Sequence, residues 1–163
     1  MEQGWNLKQS SLHRLEDKSI GRKNVKCCPS PSDWKRLNFD GASHGNLGLS
    51  GFGDVVRDED GSLVGATCGL SGIVSNNVAE ITALEEGLNW VIENNHLKVV
   101  IKGDSQIILN GVTKKYFTNW RLNERIPRIN QLLKKLEDYQ VKHIYREGNH
   151  VADILANQVL IES

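Results

Sequence analysis

The hydrophobic period of this chain changes at Ser75, and that change narrows the folds open to it. Before it, in KRLNFDGA, SGFGDVVRD and SLVGATCGL, apolar residues alternate with polar or small ones, as in strands with two unlike faces. Asp58-Glu59-Asp60-Gly61 supplies a hairpin turn between the second and third of these segments. After it, Val78, Ile81, Leu84, Leu88, Val91 and Ile92 recur at helical spacing, with Ser75 or Asn76 as cap and Asn94-Asn95 as stop. LKVVIKGD reads as a continuous apolar strand buried on both faces. SQIILNGVTKK and NERIPRINQLLKKLED read as helices, with Pro127 tolerable only near the start of the second. QVKHIYRE reads as a strand and NHVADILANQVLIE as a last helix. The order β-β-β-α-β-α-α-β-α predicts an α/β fold: antiparallel hairpins joined to βαβ units in a mixed five-stranded sheet, with helices on both faces.

Glycine is concentrated where the first strand ends. Leu37 and Phe39 alternate with Asn38 and Asp40, and five glycines then fall within the thirteen residues from Gly41 to Gly53. A turn needs one or two. The excess predicts a backbone that something approaches closely.

Residues 1–33 are polar, lack periodicity and end in CCPSPSD, so they read as a flexible tail or linker, with the folded domain over 34–163. No apolar run approaches the roughly 18 residues that a membrane helix needs. The N-terminus lacks the apolar region of a secretory signal, so the expectation is an intracellular protein of nucleus or cytoplasm, not secreted, monomeric and without a membrane partner. Cys27, Cys28 and Cys68 complete no zinc pattern and read as free thiols. Lysines and arginines balance the acids overall, yet from Lys114 to Arg146 nine basic residues face three acidic ones. That half can offer phosphates a surface, or be a solvated helix face.

Four carboxylates fall at places where an α/β sheet gathers a site. Asp40 ends the first strand, Glu80 lies in the first turns of the long helix, Asp104 ends the fourth strand and Asp153 lies in the last helix. Brought together, they would raise one another's pKa values unless cations sat between them. Carboxylate oxygens suit Mg²⁺, and two such ions can activate a water and stabilise the leaving oxygen of a phosphodiester.

DGASHGNLGLSGFG, SNNVAEITAL, GDSQIILNG and REGNHVAD followed by ILAN match, in order, the motifs of the ribonuclease H family of type 1. With WKRLNFDGAS before the first motif and GFGDVVRD after it, the chain most resembles the plant reverse-transcriptase-like, retroelement-derived branch. The resemblance covers about residues 34–161. It implies a hydrolase that cuts the RNA strand of RNA–DNA hybrids as an endonuclease, with two Mg²⁺ ions (Mn²⁺ as the alternative) as cofactor. Asp40 would bridge both ions, Glu80 and Asp104 would complete the one near the leaving 3′ oxygen, and Asp153 the one that activates the water. For substrate, it implies that Asn76 and Gln106 lie in the minor groove beside the RNA and that backbone around Gly41 and Ser43 touches 2′-hydroxyls. Ser75 and Asn46 match positions against the DNA strand, Trp120 an aromatic that packs on DNA sugars, and Asn149 a nucleic-acid contact.

Two departures set an alternative beside this reading. The loop before the last helix is too short for the histidine of longer family members, and the basic protrusion is shortened; His150 reads first as a helix-start histidine, with partial substitution for the loop histidine as its auxiliary reading. The alternative is a catalytically weak or inactive nucleic-acid-binding remnant of a retroelement. A transposase or integrase of related fold fits less well, because that class places its last acid on a late helix.

Overall fold

The computed structural model describes residues 4–5, 33–45 and 47–163. Five main strands and four helices follow in the expected order, with one short helix, Trp120–Asn123, added. The strands are β1 (Lys35–Ser43), β2 (Gly48–Arg57), β3 (Leu63–Val74), β4 (Lys98–Gly103) and β5 (Asp138–His143). The helices are α1 (Asn76–Glu93), α2 (Gln106–Lys114), α3 (Trp120–Asn123), α4 (Ile126–Lys134) and α5 (His150–Glu162), and a 3₁₀ turn, Arg146–Asn149, leads into α5. The sheet runs β3-β2-β1-β4-β5: β1, β2 and β3 pair antiparallel, and β4 lies parallel to both β1 and β5. A two-residue strand, Gly4–Trp5, pairs antiparallel with Gly69 and Cys68 on the outer edge of β3. The rest of the expected tail, Asp33 apart, lies outside the described residues, as do Cys27 and Cys28.

Each face of the sheet carries its own core. On one side Leu37, Phe39, Phe52, Val99 and Ile101 pack under Ile81, Leu84 and Leu88 of α1, with Leu132 and Leu133 of α4 extending the cluster. On the other side Val55, Ala66 and Cys68 meet Ala152, Leu155 and Val159 of α5. Alternation along β1 and β2 sends neighbouring side chains to these opposite cores, which is what the two-residue period of the sequence required.

The glycine density has an internal cause. A Cβ on Gly53 would stand 2.5 Å from the Ala152 carbonyl oxygen of α5, and one on Gly41 would collide with the Glu80 backbone of α1. What approaches the strands closely is therefore the protein's own helices, one on each face. This brings the segments that carry Glu80 and Asp153 within reach of Asp40.

Asp40 does not end its strand. β1 continues to Ser43, paired with β2 throughout. What ends near Asp40 is the pairing with β4, whose last partners are Asn38 and Lys102. The two parallel strands part there, and the gap is where the site opens.

Candidate active site

Each of the four acids is held by a different element. Asp40 sits in β1, opposite Gly53. Glu80 lies one turn into α1, whose N-terminus is fixed by Ser75, the side chain of which accepts from the Val78 N–H at 3.4 Å. Asp104 immediately follows β4 and precedes Ser105, which caps α2 in the same manner. Asp153 lies in the first turn of α5 and accepts from the Asn157 amide at 3.1 Å.

All four line one open cleft of about 530 Å³. Carboxylate oxygens of Asp40, Glu80 and Asp104 lie within 4.8 Å of one another. Asp153 lies outside that group of three, 3.8 Å from the Arg146 guanidinium. Asp40 and Glu80 are each only 4% exposed, and Asp104 and Asp153 are half-buried.

So much negative charge in one place perturbs its own protonation. Burial, then the charges of Asp104 and Asp153, push Asp40 up to about 7. Burial, then Asp40 and Asp104, push Glu80 up to about 10. The two carboxyl groups also act on each other directly, which lowers Asp40 and raises Glu80. Asp104 is also raised, by burial first and by Asp153, against the pull of Arg146. Glu80 Oε2 is buried with no hydrogen-bond partner. A buried carboxylate oxygen without a donor, grouped with two more carboxylates, is a setting that a cation would satisfy. An all-oxygen set of this kind fits a hard divalent metal ion.

The other expected contacts separate into groups. Asn76 is exposed and lines the cleft, and so do Ser43 and the backbone of Gly41. Ser43 Oγ is engaged internally, donating to Gly45 O at 2.6 Å, and Ser75 serves as helix cap. Gln106 is exposed at the start of α2 and donates to Asn110, outside the cleft lining. Trp120 is 64% exposed on α3, with the Arg121 guanidinium 5.4 Å from its ring centroid. Asn46 lies outside the described residues. His150 is exposed at the start of α5 and does not line the cleft.

Asn149 requires a correction. It is 1% exposed, donates to the Phe39 carbonyl at 2.8 Å and accepts from Asn38 at 3.2 Å. Its amide therefore ties the start of α5 to β1 beside Asp40, which leaves it no face for nucleic acid. Among the cleft residues that the sequence did not single out are His143, Arg146 and Asn157. Asn157 could have been found from its place one turn after Asp153 on the same helical face. His143 and Arg146 carried no local signal, because only the parting of β4 from β1 makes their end of β5 a cleft wall.

A family profile described as reverse transcriptase-like matches residues 38–159. Ribonuclease HI of Halobacterium salinarum is 34% identical over 75% of this chain and 62% of its own length. Ribonuclease H of Bordetella avium is 34% identical over 78% of this chain and 91% of its own length. A longer Arabidopsis thaliana protein, assigned provisionally to the ribonuclease H proteins, is 32% identical over 76% of this chain, which spans 20% of that protein. Among solved structures, ribonuclease H1 of the halophilic archaeon Halobacterium salinarum superposes with a TM-score of 0.77 at 32% identity, covering 80% of this chain and 99% of that one. LC11 ribonuclease H1 in complex with an RNA/DNA hybrid superposes with a TM-score of 0.73 at 28% identity, covering 78% and 97%.

Proposed function

Because this chain belongs to the reverse-transcriptase-like family on the ribonuclease H fold, we propose that it is an endonuclease hydrolysing the RNA strand of RNA–DNA hybrids. The observation that carries the reading is the buried set of Asp40, Glu80 and Asp104 at the mouth of a cleft, with a Glu80 oxygen left without a donor. Two divalent ions, Mg²⁺ or Mn²⁺, when bound, supply an activated water and charge neutralisation at the scissile phosphate. The residues of the chain do the rest. Asp40, grouped with Glu80 and Asp104 and sharing the cleft with Asp153, would contribute to holding both ions. Asn149 holds β1 and α5 together, so that Asp40 and Asp153 keep their separation. Asn76, exposed at the cleft rim, is available to read a 2′-hydroxyl. Lys114 on α2 and Trp120 with Arg121 on α3 offer a basic and aromatic surface for a hybrid's DNA strand. All four acids come from one chain, so a monomer suffices.

The likeness to the Arabidopsis protein supports a place in the plant retroelement-derived branch. Residues 34–163 are the domain and residues 1–33 a tail or linker, of which Gly4–Trp5 pairs with the edge of β3. No helix among the described residues is long and apolar enough to cross a membrane. The nucleus or cytoplasm, where hybrids arise, is the proposed site of action.

The test is cleavage of a labelled hybrid with Mg²⁺ and with Mn²⁺, beside single-stranded RNA and a DNA duplex. Hybrid RNA alone should be cut. Asp104→Asn should lower the rate by roughly three orders of magnitude, since a metal contribution of several kcal/mol is lost at about 1.36 kcal/mol per tenfold. Hybrid binding without cleavage under either metal would instead make the chain a non-catalytic remnant.

A further inference from the structure

Asp104 is the only one of the four acids that sits in neither a strand nor a helix. It occupies the joint between β4, which ends at Gly103, and α2, which begins at Gln106. Both sides of the joint are secured. The Ile144 N–H donates to the Gly103 carbonyl at 3.0 Å, and Ser105 caps α2. Between them, His143 Nε2 lies 3.1 Å from the Asp104 main-chain carbonyl.

The fold gives this histidine a defined place. Gly103 and His143 are the last partners of the β4–β5 ladder. Tyr139, Val141 and His143 share one face of β5, and Val141 packs against the α1-side core. That packing sets the height and direction of His143, two residues further on, at the wall of the cleft. Tyr145 meets its ring edge-on, with centroids 6.0 Å apart. An imidazole held from two sides, donating to a carbonyl oxygen, fixes the peptide plane that the Asp104 side chain leaves from.

We propose that His143 is a positioning residue for the metal-ligating carboxylate of Asp104, acting through the Asp104 carbonyl. The inference rests on the metal-dependent reading of the cleft and adds a residue to it. A partner that orients a metal ligand is worth about 10–100-fold in metal affinity or activity. Without the Nε2–H the joint is free to rotate, and the carboxylate spends less time facing Asp40 and Glu80. Hybrid binding has no such dependence, because His143 acts on the ligand and not on the nucleic acid.

The experiment is Mg²⁺ and Mn²⁺ titration calorimetry on the full chain without substrate, for wild type, His143→Ala and His143→Gln. Hydrolysis kinetics and thermal unfolding of the metal-free proteins run alongside. Gln keeps an N–H donor at similar reach. His143→Ala should weaken metal binding about tenfold, and raise the metal concentration for half-maximal hydrolysis in proportion, with hybrid KM and metal-free unfolding temperature unchanged. His143→Gln should recover most of the loss. Unaltered metal affinity in His143→Ala would overturn the proposal. So would equal weakening in both variants accompanied by a fall in unfolding temperature, which would mark His143 as a packing residue. Because calorimetry reads the ions directly, a wild-type chain that binds them yet cuts no hybrid would overturn the hydrolase reading and leave this one standing.

Discussion

Asp40 and Asp54 stand on neighbouring strands, one register step apart: Phe39 faces Asp54 where Asp40 faces Gly53. Both are buried, at 4% and 1% exposed, and both have their pKa raised chiefly by burial. Each lies near a carboxylate oxygen that has no donor, Glu80 Oε2 in one case and Asp54 Oδ1 in the other. By the usual markers of a functional acid they are equivalent. The pleat separates them. Asp40 opens into the cleft beside Glu80 and Asp104, whereas Asp54 is shut beneath α1, where a Cβ on Gly87 would lie 2.9 Å from Oδ1. Thr67 donates to its other oxygen at 3.0 Å. A raised pKa therefore reports burial. A site needs, in addition, other acids at ligand distance and a way in.

The comparison is broken most directly by neutralising each acid in turn. Asp40→Asn should remove hydrolysis by about three orders of magnitude or more, because no neutral amide replaces a carboxylate shared by metal ions. It should also raise the unfolding temperature of the metal-free protein, since one repelling acid is gone. Asp54→Asn should leave kcat within about twofold, a change well under 1 kcal/mol. Burial pushes the Asp54 carboxyl up, toward its neutral form, and an amide of the same shape still accepts from Thr67. Rates measured for both variants at saturating Mg²⁺ decide it: comparable losses would erase the distinction.

Acidity offers a finer separation. Asp40 is raised from 3.8 to about 7 and Glu80 from 4.5 to about 10, so the metal-free folded state binds more protons than the unfolded one between those limits. Their stabilising contribution is complete below about pH 4 and is lost as pH rises, through about 7 for Asp40 and toward 10 for Glu80. Asp54 adds loss of the same sign. Bound metal ions would hold Asp40 and Glu80 ionised and reverse their share, while Asp54 is shut away from the cleft. Unfolding temperatures at pH 5 and pH 8 should therefore fall in metal-free protein, and the fall should shrink with Mg²⁺. Asp40→Asn should flatten only the metal-free profile, and Asp54→Asn both. A metal-free midpoint that rises from pH 5 to 8 would contradict the assignment.

The same pair marks what could be read from residues alone. The strand and helix order was legible because each element carries its own period, and the places of Glu80 and Asp104 were legible because one follows the Ser75 cap and the other the end of an apolar strand. Helix α3 was missed, although Asn119 caps it by accepting from the Arg121 N–H. The purpose of the glycines was only half legible. Sequence shows that room is made at Gly41 and Gly53, but docking decides that α1 and α5 fill it. Asn149 was misplaced for a related reason. Its neighbours are charged and polar, and only the closure of α5 on β1 turns its amide inward to Phe39 and Asn38. Contacts between distant segments have no local signature, and the position of Asp54 beneath Gly87 is one of them.

The smallest effect should come from Thr67, and it bears on whether the closed acid is isolated from the open one. Thr67→Val keeps the shape and removes the hydroxyl that donates to Asp54 Oδ2. A buried acceptor then loses its donor, which costs about 1–2 kcal/mol of stability. The unfolding midpoint should drop by roughly 3–6 °C. Hydrolysis and Mg²⁺ affinity should not change, because the bond joins β2 to β3 beneath α1 and no cleft residue takes part. In the Asp54→Asn background the loss should persist, since the amide oxygen is also a buried acceptor. A tenfold fall in hydrolysis would mean that Asp54 communicates with Asp40 through β1, and the sheet would no longer divide a structural acid from a catalytic one.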